Sequence, residues 1–427
     1  MTTIYALSSG RPPAGIAIIR ISGSGSLGAL STLTQKPVPE PRRLVRRRLI
    51  DADGSLLDDT MVVAFPGPAS ATGEDMVELH CHGGRAVIAA VLGALAAYPG
   101  LELAKPGAFT RRAFDNGKLD LSQVEGLADL IDAETDQQRR QALGHAEGFL
   151  RGRVDSWRTT LIEIRADLEA SLDFAEEDDV PAGITPVGHE RLTALLADLD
   201  AAMIDARRGE QIRDGLTVAV TGPVNAGKSS LVNAIAQRDI AIVSEHAGTT
   251  RDVLEVRLDL GGVAVTLLDT AGLRPTSDPV EAEGVRRAIA RADAADLVIV
   301  MGDGQARAGD LRITGKSDLI GRCAGWEDDV LYLSTVTRDG IDLLLDRLTS
   351  WASNMVERGE PALISRERHR EAIMAARTEL RSSLAAADAV LAAEHLRMTS
   401  GFLDAVIGAV TSDDVLDAIF SRFCLGK

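Results

Sequence analysis

A glycine-rich run at residues 222–229, Gly-Pro-Val-Asn-Ala-Gly-Lys-Ser, constrains this chain more than any other part of its sequence. The apolar residues 216–220 predict a buried strand before it, and residues 230–235 predict the opening of a helix after it. In such a unit the glycines let backbone N–H groups turn toward phosphate oxygens, and the helix N-terminus favours an anion. The run therefore predicts a phosphate-binding loop, in which Lys228 reaches the β and γ phosphates and Ser229 ligates Mg²⁺.

Two later segments have the residues and the order along the chain that a nucleotide-dependent switch protein requires. A predicted apolar strand runs into the sequence Asp-Thr-Ala-Gly at residues 269–272. Asp269 can hold the hydration shell of the metal, and Gly272 can offer its N–H to the γ-phosphate. Between this segment and the phosphate loop, residues 248–252 form a polar loop from which Thr250 can close over Mg²⁺.

Guanine recognition is predicted from residues 315–318, Gly-Lys-Ser-Asp, which follow a predicted strand at residues 311–314. Asp318 can accept hydrogen bonds from N1 and N2 of guanine, and the aliphatic stem of Lys316 can cover the base. Gly315 stands where the N-K-x-D element of GTP-binding proteins has asparagine, so one side-chain amide of the base pocket is missing. The residues still favour guanine over adenine.

The remaining sequence divides into zones of different composition, and 427 residues are enough for two or three domains. Residues 1–117 contain short apolar strands between Gly- and Pro-rich turns, with one helix, and predict an α+β domain. Residues 118–210 and 357–427 show long helical periodicity. Residues 211–356 alternate strand and helix. The simplest arrangement is a discontinuous all-α domain into which a Ras-like α/β domain with a mostly parallel sheet is inserted.

Within the last zone the apolar periodicity predicts helices over residues 367–396 and 400–420. No run approaches the roughly 18 apolar residues of a membrane span, and the start of the chain lacks a signal peptide. Three cysteines, Cys81, Cys323 and Cys424, lie far apart in the sequence and suggest reduced thiols. The sequence therefore predicts a cytoplasmic protein with no membrane partner.

A formal net charge of −17 argues against indiscriminate binding of nucleic acid. The basic run at residues 42–48 either contacts RNA locally or forms a solvated strand surface. His80 and His82 are two residues apart and share one face of a strand, which suits either a metal or packing and partner contacts. Cys424 fits a buried or tail thiol better than a nucleophile and is left out of the catalytic set.

Several segments together resemble the MnmE (TrmE) family of tRNA-uridine-modification GTPases, over essentially the whole chain. They are Asn225 in the phosphate loop and residues 248–252, 269–274, 72–84, 116–121 and 423–427. The resemblance implies that the N-terminal domain dimerises and binds 5-formyl-tetrahydrofolate or a related one-carbon folate. It also implies a homodimer that works with MnmG (GidA), an FAD-containing partner, in a hetero-oligomer. Such a pair adds an aminomethyl or carboxymethylaminomethyl group to C5 of the wobble uridine of certain tRNAs.

The resemblance further implies that K⁺ takes the place of an arginine finger. Its implied ligands are Asn225, Ser244, His246 and Thr249. A monovalent cation beside the phosphates offsets charge that develops in the transition state. Leu273 stands where Ras-like enzymes have the glutamine that orients water, and the resemblance gives this role to Glu281. Glu281 also fits a solvated acid at a helix start. In this family GTP hydrolysis drives dimerisation of the GTPase domains and a conformational change.

The expected sites follow from the motifs and the resemblance together. The catalytic set is Glu281, Lys228, Asp269 and Arg274. The GTP set is Asn225, Ala226, Gly227, Lys228, Ser229, Ser230, Ser244, Glu245, His246, Ala247, Gly248, Thr249, Thr250, Asp269, Thr270, Ala271, Gly272, Lys316, Asp318, Ser334 and Thr335. The Mg²⁺ ligands are Ser229 and Thr250. The folate set is Arg20, Glu78, Lys118 and Lys427. A regulatory GTPase of ribosome assembly and a scaffold with degenerate nucleotide binding are the alternatives.

Overall fold

The computed structural model describes residues 2–173, 184–242, 255–270, 290, 292–356, 362–409, 413–421, 423 and 426. These residues form two compact units. One contains Met1–Ala128 and Asp404–Lys427, and the other contains Asp129–Leu403. The four-segment domain division given above stays a prediction.

The first unit contains a six-stranded sheet. Its strands are β1 (Thr3–Leu7), β2 (Ala14–Ser22), β3 (Val45–Ile50), β4 (Leu56–Phe65), β5 (Met76–Gly83) and β6 (Leu101–Leu103). The order across the sheet is β3-β4-β5-β2-β1-β6, and neighbours are antiparallel except for the parallel pair β1–β6. Its helices are α1 (Ser26–Thr34), α2 (Arg85–Ala96) and α3 (Ala108–Asp115), followed by the start of α4 (Leu121–Asp132).

Strand β5 shows how the sequence builds this sheet. Val77, Leu79 and Cys81 are buried in one apolar core with residues of α1 and α2. Because side chains alternate along a strand, the polar Glu78 and His80 point to the opposite face. The sheet therefore has an apolar face under the two helices and a face that carries polar side chains.

The end of the chain packs within the same unit. Helix α13 (Asp413–Phe420) contributes Phe420 to a small apolar cluster with Leu121 of α4 and Phe423. Further on, the Ser8 hydroxyl donates a hydrogen bond of 2.7 Å to the Gly426 carbonyl. The C-terminal segment thus lies against the residues that follow β1.

The second unit contains a seven-stranded sheet. Its strands are β7 (Leu216–Thr221), β8 (Glu255–Leu260), β9 (Val263–Asp269), β10 (Leu297–Met301), β11 (Leu311–Thr314), β12 (Gly325–Glu327) and β13 (Val330–Tyr332). The order is β12-β13-β11-β10-β7-β9-β8. The five inner strands are parallel, and the edge strands β12 and β8 are antiparallel to their neighbours. Helices α8 (Lys228–Ala236), α9 (Ser317–Ile320) and α10 (Ile341–Val356) accompany the sheet. This mostly parallel α/β sheet confirms the fold class predicted from the sequence.

Long helices make up the rest of this unit: α5 (Asp136–Ala146), α6 (Phe149–Asp173), α7 (Pro186–Asp214), α11 (Glu367–Ala385) and most of α12 (Ala389–Ile407), whose residues from Asp404 onward belong to the first unit. The predicted break between residues 396 and 400 is wrong, because α12 runs through it. The break lies at 386–388, where Ala386 is extended and Asp388 Oδ1 accepts from Val390 N at 2.6 Å, which caps α12. Gly408, at φ +79°, ends α12. Among the described helices, none is long and apolar enough to cross a membrane.

Gly209→Ala and Gly152→Ala make a matched pair, since both glycines lie inside long helices of the second unit. A Cβ at Gly209 would lie 2.0 Å from the Ile364 carbonyl oxygen, whereas one at Gly152 would meet no atom within 4 Å. We expect Gly209→Ala to lower the free energy of unfolding by about 2 kcal/mol, because backbone must move. Gly152→Ala should raise it by about 0.8 kcal/mol through helix propensity. Urea unfolding followed by circular dichroism measures both, and equal shifts of the same sign would contradict the packing at Gly209.

Candidate functional site

The glycine-rich run forms a tight loop between the end of β7 and the start of α8. Gly222 has φ +140°, and a Cβ there would lie 2.4 Å from the Met301 carbonyl oxygen, so β10 leaves room only for glycine. Gly227 has φ +100° and immediately precedes α8. Lys228 is 8% exposed, and its Nζ donates to the carbonyls of Gly222 at 2.9 Å and Pro223 at 3.0 Å. The loop therefore wraps around the lysine ammonium, which places a positive charge at the helix N-terminus.

Lys228 is followed by Ser229, whose hydroxyl oxygen is paired with a carboxylate oxygen from the end of β9. The Ser229 hydroxyl donates to Oδ2 of Asp269, whose side chain is fully buried at the end of β9. Thr270, the next residue, donates from its hydroxyl to the Val220 carbonyl at 2.7 Å, which ties the end of β9 to β7. Hydroxyl and carboxylate oxygens are the ligands that Mg²⁺ prefers, directly or through its bound waters. The donor set around Ser229 and Asp269 therefore fits the metal.

The residues expected around the base lie at the end of β11 and after β13. Lys316 has φ +61°, and its Nζ donates to the Asn225 carbonyl at 2.9 Å, so the structure brings this lysine to the phosphate loop. Asp318 is exposed in the first turn of α9. The Ser334 hydroxyl accepts from the backbone N–H groups of Val336 and Thr337, which folds the loop that also contains Thr335.

A side chain at residue 315 would be in tight contact with its neighbours. A Cβ there would lie 3.2 Å from Met301 Cε and 3.3 Å from the Ala226 carbonyl oxygen. Its α-carbon therefore packs against the phosphate loop with no side chain between them. The base side of the site is built without the amide that asparagine would supply.

A large part of the expected switch machinery lies outside the described residues. These positions are Ser244, Glu245, His246, Ala247, Gly248, Thr249, Thr250, Ala271, Gly272, Arg274 and Glu281, with Lys427 of the folate set and Cys424. Their roles stay predictions.

Of the folate set, the structure pairs Arg20 with Glu78 across β2 and β5. Arg20 Nη2 and Nε lie 2.8 and 3.1 Å from Glu78 Oε1, and the two residues are direct partners in the strand register. His80 Nε2 lies 3.2 Å from Glu78 Oε2. Lys118 is exposed in the turn after α3. The glutamate thus lies between a guanidinium and an imidazole on the polar face of the sheet.

Sequence reasoning missed a second ion pair in this unit. Arg112 of α3, 8% exposed, donates from Nη1 to Glu74 Oε2 at 2.6 Å, and Ser22 donates to the same oxygen at 3.0 Å. Asn116 Nδ2 donates to the Thr72 carbonyl at 2.7 Å. The only sequence signal was the family resemblance of residues 72–84 and 116–121. Neither segment indicates that its polar residues contact the polar residues of the other segment.

The two strand histidines have separate acidic partners. His82 is held by Asp58, which accepts from its Nδ1 at 2.7 Å and its backbone N–H at 2.9 Å. His80 contacts Glu78 instead. Within the described part of the chain, no group of three His, Cys, Asp or Glu side chains is arranged to hold a metal ion. Each histidine therefore has a carboxylate partner of its own, and the choice between a metal and packing or partner contacts stays a prediction.

The basic run at residues 42–48 is partly neutralised. Arg46 makes two hydrogen bonds, of 2.9 and 2.8 Å, to the carboxylate of Asp59, and Arg48 lies 3.8 Å from the same carboxylate. The bond from Arg46 lowers the pKa of Asp59 below its ordinary value. Arg43 pairs with Glu40. These pairs support a solvated strand surface, and contact with RNA is untested.

Thiol reactivity should follow burial. Burial is the main factor that raises the pKa of Cys81 to about 11, whereas Cys323 is exposed. Because the thiolate is the nucleophile, we expect iodoacetamide at pH 8 to alkylate Cys323 in the native protein and to leave Cys81 unmodified until urea is added. Peptide mass mapping distinguishes the sites, with Cys323→Ser as the control. Equal native labelling of both thiols would contradict the buried position of Cys81.

The chain is similar to known proteins along its whole length. Residues 3–118 match the family model described as GTP-binding protein TrmE N-terminus, and residues 121–424 match the model described as MnmE helical domain. The tRNA modification GTPase MnmE of Parvibaculum lavamentivorans is 50% identical over 442 residues, which cover 100% of both chains. The protein of the same name from Bradyrhizobium sp. strain BTAi1 is 48% identical over 442 residues, which cover 100% of this chain and 99% of the relative.

Among solved structures, the G domain of the T. maritima FeoB iron transporter is 22% identical over 32% of this chain and 98% of that chain. Its TM-score of 0.22 is too low to add to the assignment. The two family models and the full-length relatives agree with each other and with the loop described above. The chain belongs to the MnmE (TrmE) family of tRNA modification GTPases.

Proposed function

We propose that this chain is a GTP hydrolase whose nucleotide site is the loop of residues 222–229. The observation that carries the proposal is the position of Lys228, whose ammonium lies inside the loop, while Ser229, the next residue, donates to Asp269. In this position Lys228 neutralises charge on the β and γ phosphates as the bond to the γ-phosphate breaks. Ser229 and Thr250 would ligate Mg²⁺ and Asp269 would hold its hydration shell, and the ion would supply further neutralisation of the phosphates when it is bound.

Base selection falls to Asp318 and Lys316 in this proposal. The Asp318 carboxylate accepts from N1–H and N2–H of guanine, and adenine offers no such pair of donors. The aliphatic stem of Lys316 extends from the base side to the phosphate loop, where its ammonium contacts Asn225. It would therefore pass across the face of the bound base.

Potassium dependence extends the proposal. The Asn225 side chain is exposed on the phosphate loop, and an amide oxygen is a suitable ligand for a hard monovalent cation. Ser244, His246 and Thr249 would complete the set, and K⁺ would supply positive charge beside the transferring phosphate. Glu281 would orient the attacking water in place of the missing glutamine, and Arg274 would assist from the same segment.

We further propose that hydrolysis serves tRNA modification. The relatives named above are tRNA modification GTPases, and they match this chain over its whole length. A homodimer of the chain, together with an FAD-containing partner of the MnmG (GidA) type, would modify C5 of the wobble uridine. The one-carbon folate would bind near Arg20 and Glu78, with Lys118 and Lys427 as further ligands. A guanidinium suits the folate carboxylates, and a carboxylate suits the pterin N–H donors.

Asp318→Asn should change the base that the site prefers. An amide at residue 318 presents an N–H donor to the base, so guanine loses its charged acceptor while xanthine gains a donor. We expect GTP affinity to fall by about a hundredfold, because two hydrogen bonds to a charged group are lost. Affinity for xanthosine triphosphate should rise. Titration with fluorescent nucleotides measures both.

Asp329→Asn is the matched control, since Asp329 lies in the turn between β12 and β13 at φ +63°, a conformation that asparagine also accepts. Unchanged GTP affinity in Asp318→Asn would remove Asp318 from the base site.

The tRNA role can be tested in a strain that lacks this gene. We expect mass analysis of its tRNA to show loss of the modified wobble uridine and restoration by the intact gene. Lys228→Ala should not restore it, because the variant lacks the ammonium inside the phosphate loop. Lys36→Ala, which alters an exposed lysine just after α1, should restore it fully. Unchanged modification in the deletion strain would reject the tRNA role and favour a GTPase of ribosome assembly.

A further inference from the structure

Two residues of the nucleotide site have positive φ although neither is glycine. Asn225 has φ +64° and Lys316 has φ +61°. The left-handed region costs a residue with a Cβ about 1 kcal/mol or more, with asparagine among the more tolerant. The two residues are joined to each other, because Lys316 Nζ donates to the Asn225 carbonyl at 2.9 Å. The side chain of Lys316 thus stabilises the unusual backbone conformation of Asn225.

Lys316 is itself held from the base side of the sheet. The N–H of Leu319 donates to the Lys316 carbonyl at 3.0 Å, and the N–H of Ser317 donates to the Leu333 carbonyl at 3.1 Å. Leu333 in turn donates from its N–H to the Thr314 carbonyl at 3.1 Å, which continues the pairing beyond β13. The lysine therefore starts from a backbone fixed by two strands and ends on the phosphate loop.

The hydrogen bond from Lys316 holds the backbone carbonyl of Asn225, and the conformation of this backbone determines where the Asn225 side chain points. With the carbonyl held, rotation of the Asn225 peptide is restricted, and so is the direction of its Cα–Cβ bond. We propose that Lys316 is a positioning residue for a monovalent cation, because it keeps the Asn225 amide oxygen in place as a ligand. The inference rests on the potassium dependence in the proposed function and assigns a second role to a lysine otherwise expected only to cover the base.

A reciprocal effect follows from this geometry. A base that packs along the Lys316 stem orders the ammonium on the Asn225 carbonyl, and the ordered carbonyl favours cation binding. Coupling between two ligands has the same size in both directions. Guanine nucleotide should therefore raise the affinity for K⁺, and K⁺ should raise the affinity for guanine nucleotide by the same factor, through one hydrogen bond.

Lys316→Met tests the proposal, because methionine keeps an apolar stem and removes the ammonium. The measurement uses the full chain with saturating Mg²⁺ and a fluorescent GDP with aluminium fluoride. It records the K⁺ concentration that gives half-maximal binding. We expect this midpoint to rise by about fivefold in Lys316→Met, the effect of one lost hydrogen bond. Lys316→Arg, which keeps a cationic donor, should stay within about twofold of the unsubstituted chain.

A double-mutant cycle with Asn225→Gly separates positioning from a general loss of charge. Asn225→Gly removes the amide and should raise the midpoint by itself. If Lys316 acts through that amide, then Lys316→Met should add no further shift in the Asn225→Gly background. Equal shifts in both backgrounds, or an unchanged midpoint in Lys316→Met, would overturn the positioning role.

Measurements on the unsubstituted chain distinguish a failure of the positioning role of Lys316 from a failure of the proposed potassium dependence. If this chain binds the fluoride complex and hydrolyses GTP equally well in K⁺ and Na⁺, potassium dependence itself is wrong, and the positioning role is wrong with it. If K⁺ activates the unsubstituted chain and the Lys316→Met midpoint does not move, only the inference about Lys316 fails.

Discussion

The contact between the Ser229 hydroxyl and the buried Asp269 carboxylate is the interaction on which the nucleotide site depends. The two residues belong to different segments, and they meet because β7 and β9 are adjacent parallel strands with Val220 opposite Asp269. A carboxylate without exposure is costly unless it is hydrogen-bonded, and the pairing of β7 with β9 brings the Ser229 hydroxyl to Asp269. The apolar side chains of β7 and β9, buried in the same core, hold this register.

The phosphate loop depends on the same sheet in a different way. Its glycine at residue 222 passes so close to the Met301 carbonyl that β10 limits what can stand there. From the next strand beyond β10, Lys316 reaches the Asn225 carbonyl from the end of β11. The loop is therefore supported by β10 and by the end of β11, which lie on the same side of β7, and its conformation depends on the sheet as well as on the glycines.

In the sheet of the N-terminal unit, the side chains of the apolar core and the polar side chains lie on opposite faces. One face of the sheet is apolar and covered by α1 and α2, whereas Arg20, Glu78 and His80 meet on the other face. A half-buried ion pair contributes little to stability. Arg20 and Glu78, which the family resemblance assigns to the folate, both lie on this polar face.

The sequence by itself determined the phosphate loop, the strands before and after it and the mostly parallel α/β sheet. Each of these follows from local patterns, namely glycine spacing and short apolar runs. The same patterns misplaced the helix break near residues 386–388, because a cap by Asp388 and an extended Ala386 decide it, and neither changes the apolar periodicity. Only the tertiary structure decided that Arg112 pairs with Glu74, that Asp58 holds His82 and that Lys316 holds Asn225. These partners are far apart in the chain, and the order of the strands and the packing of helices and loops against them bring the partners together, which a local residue pattern by itself does not specify.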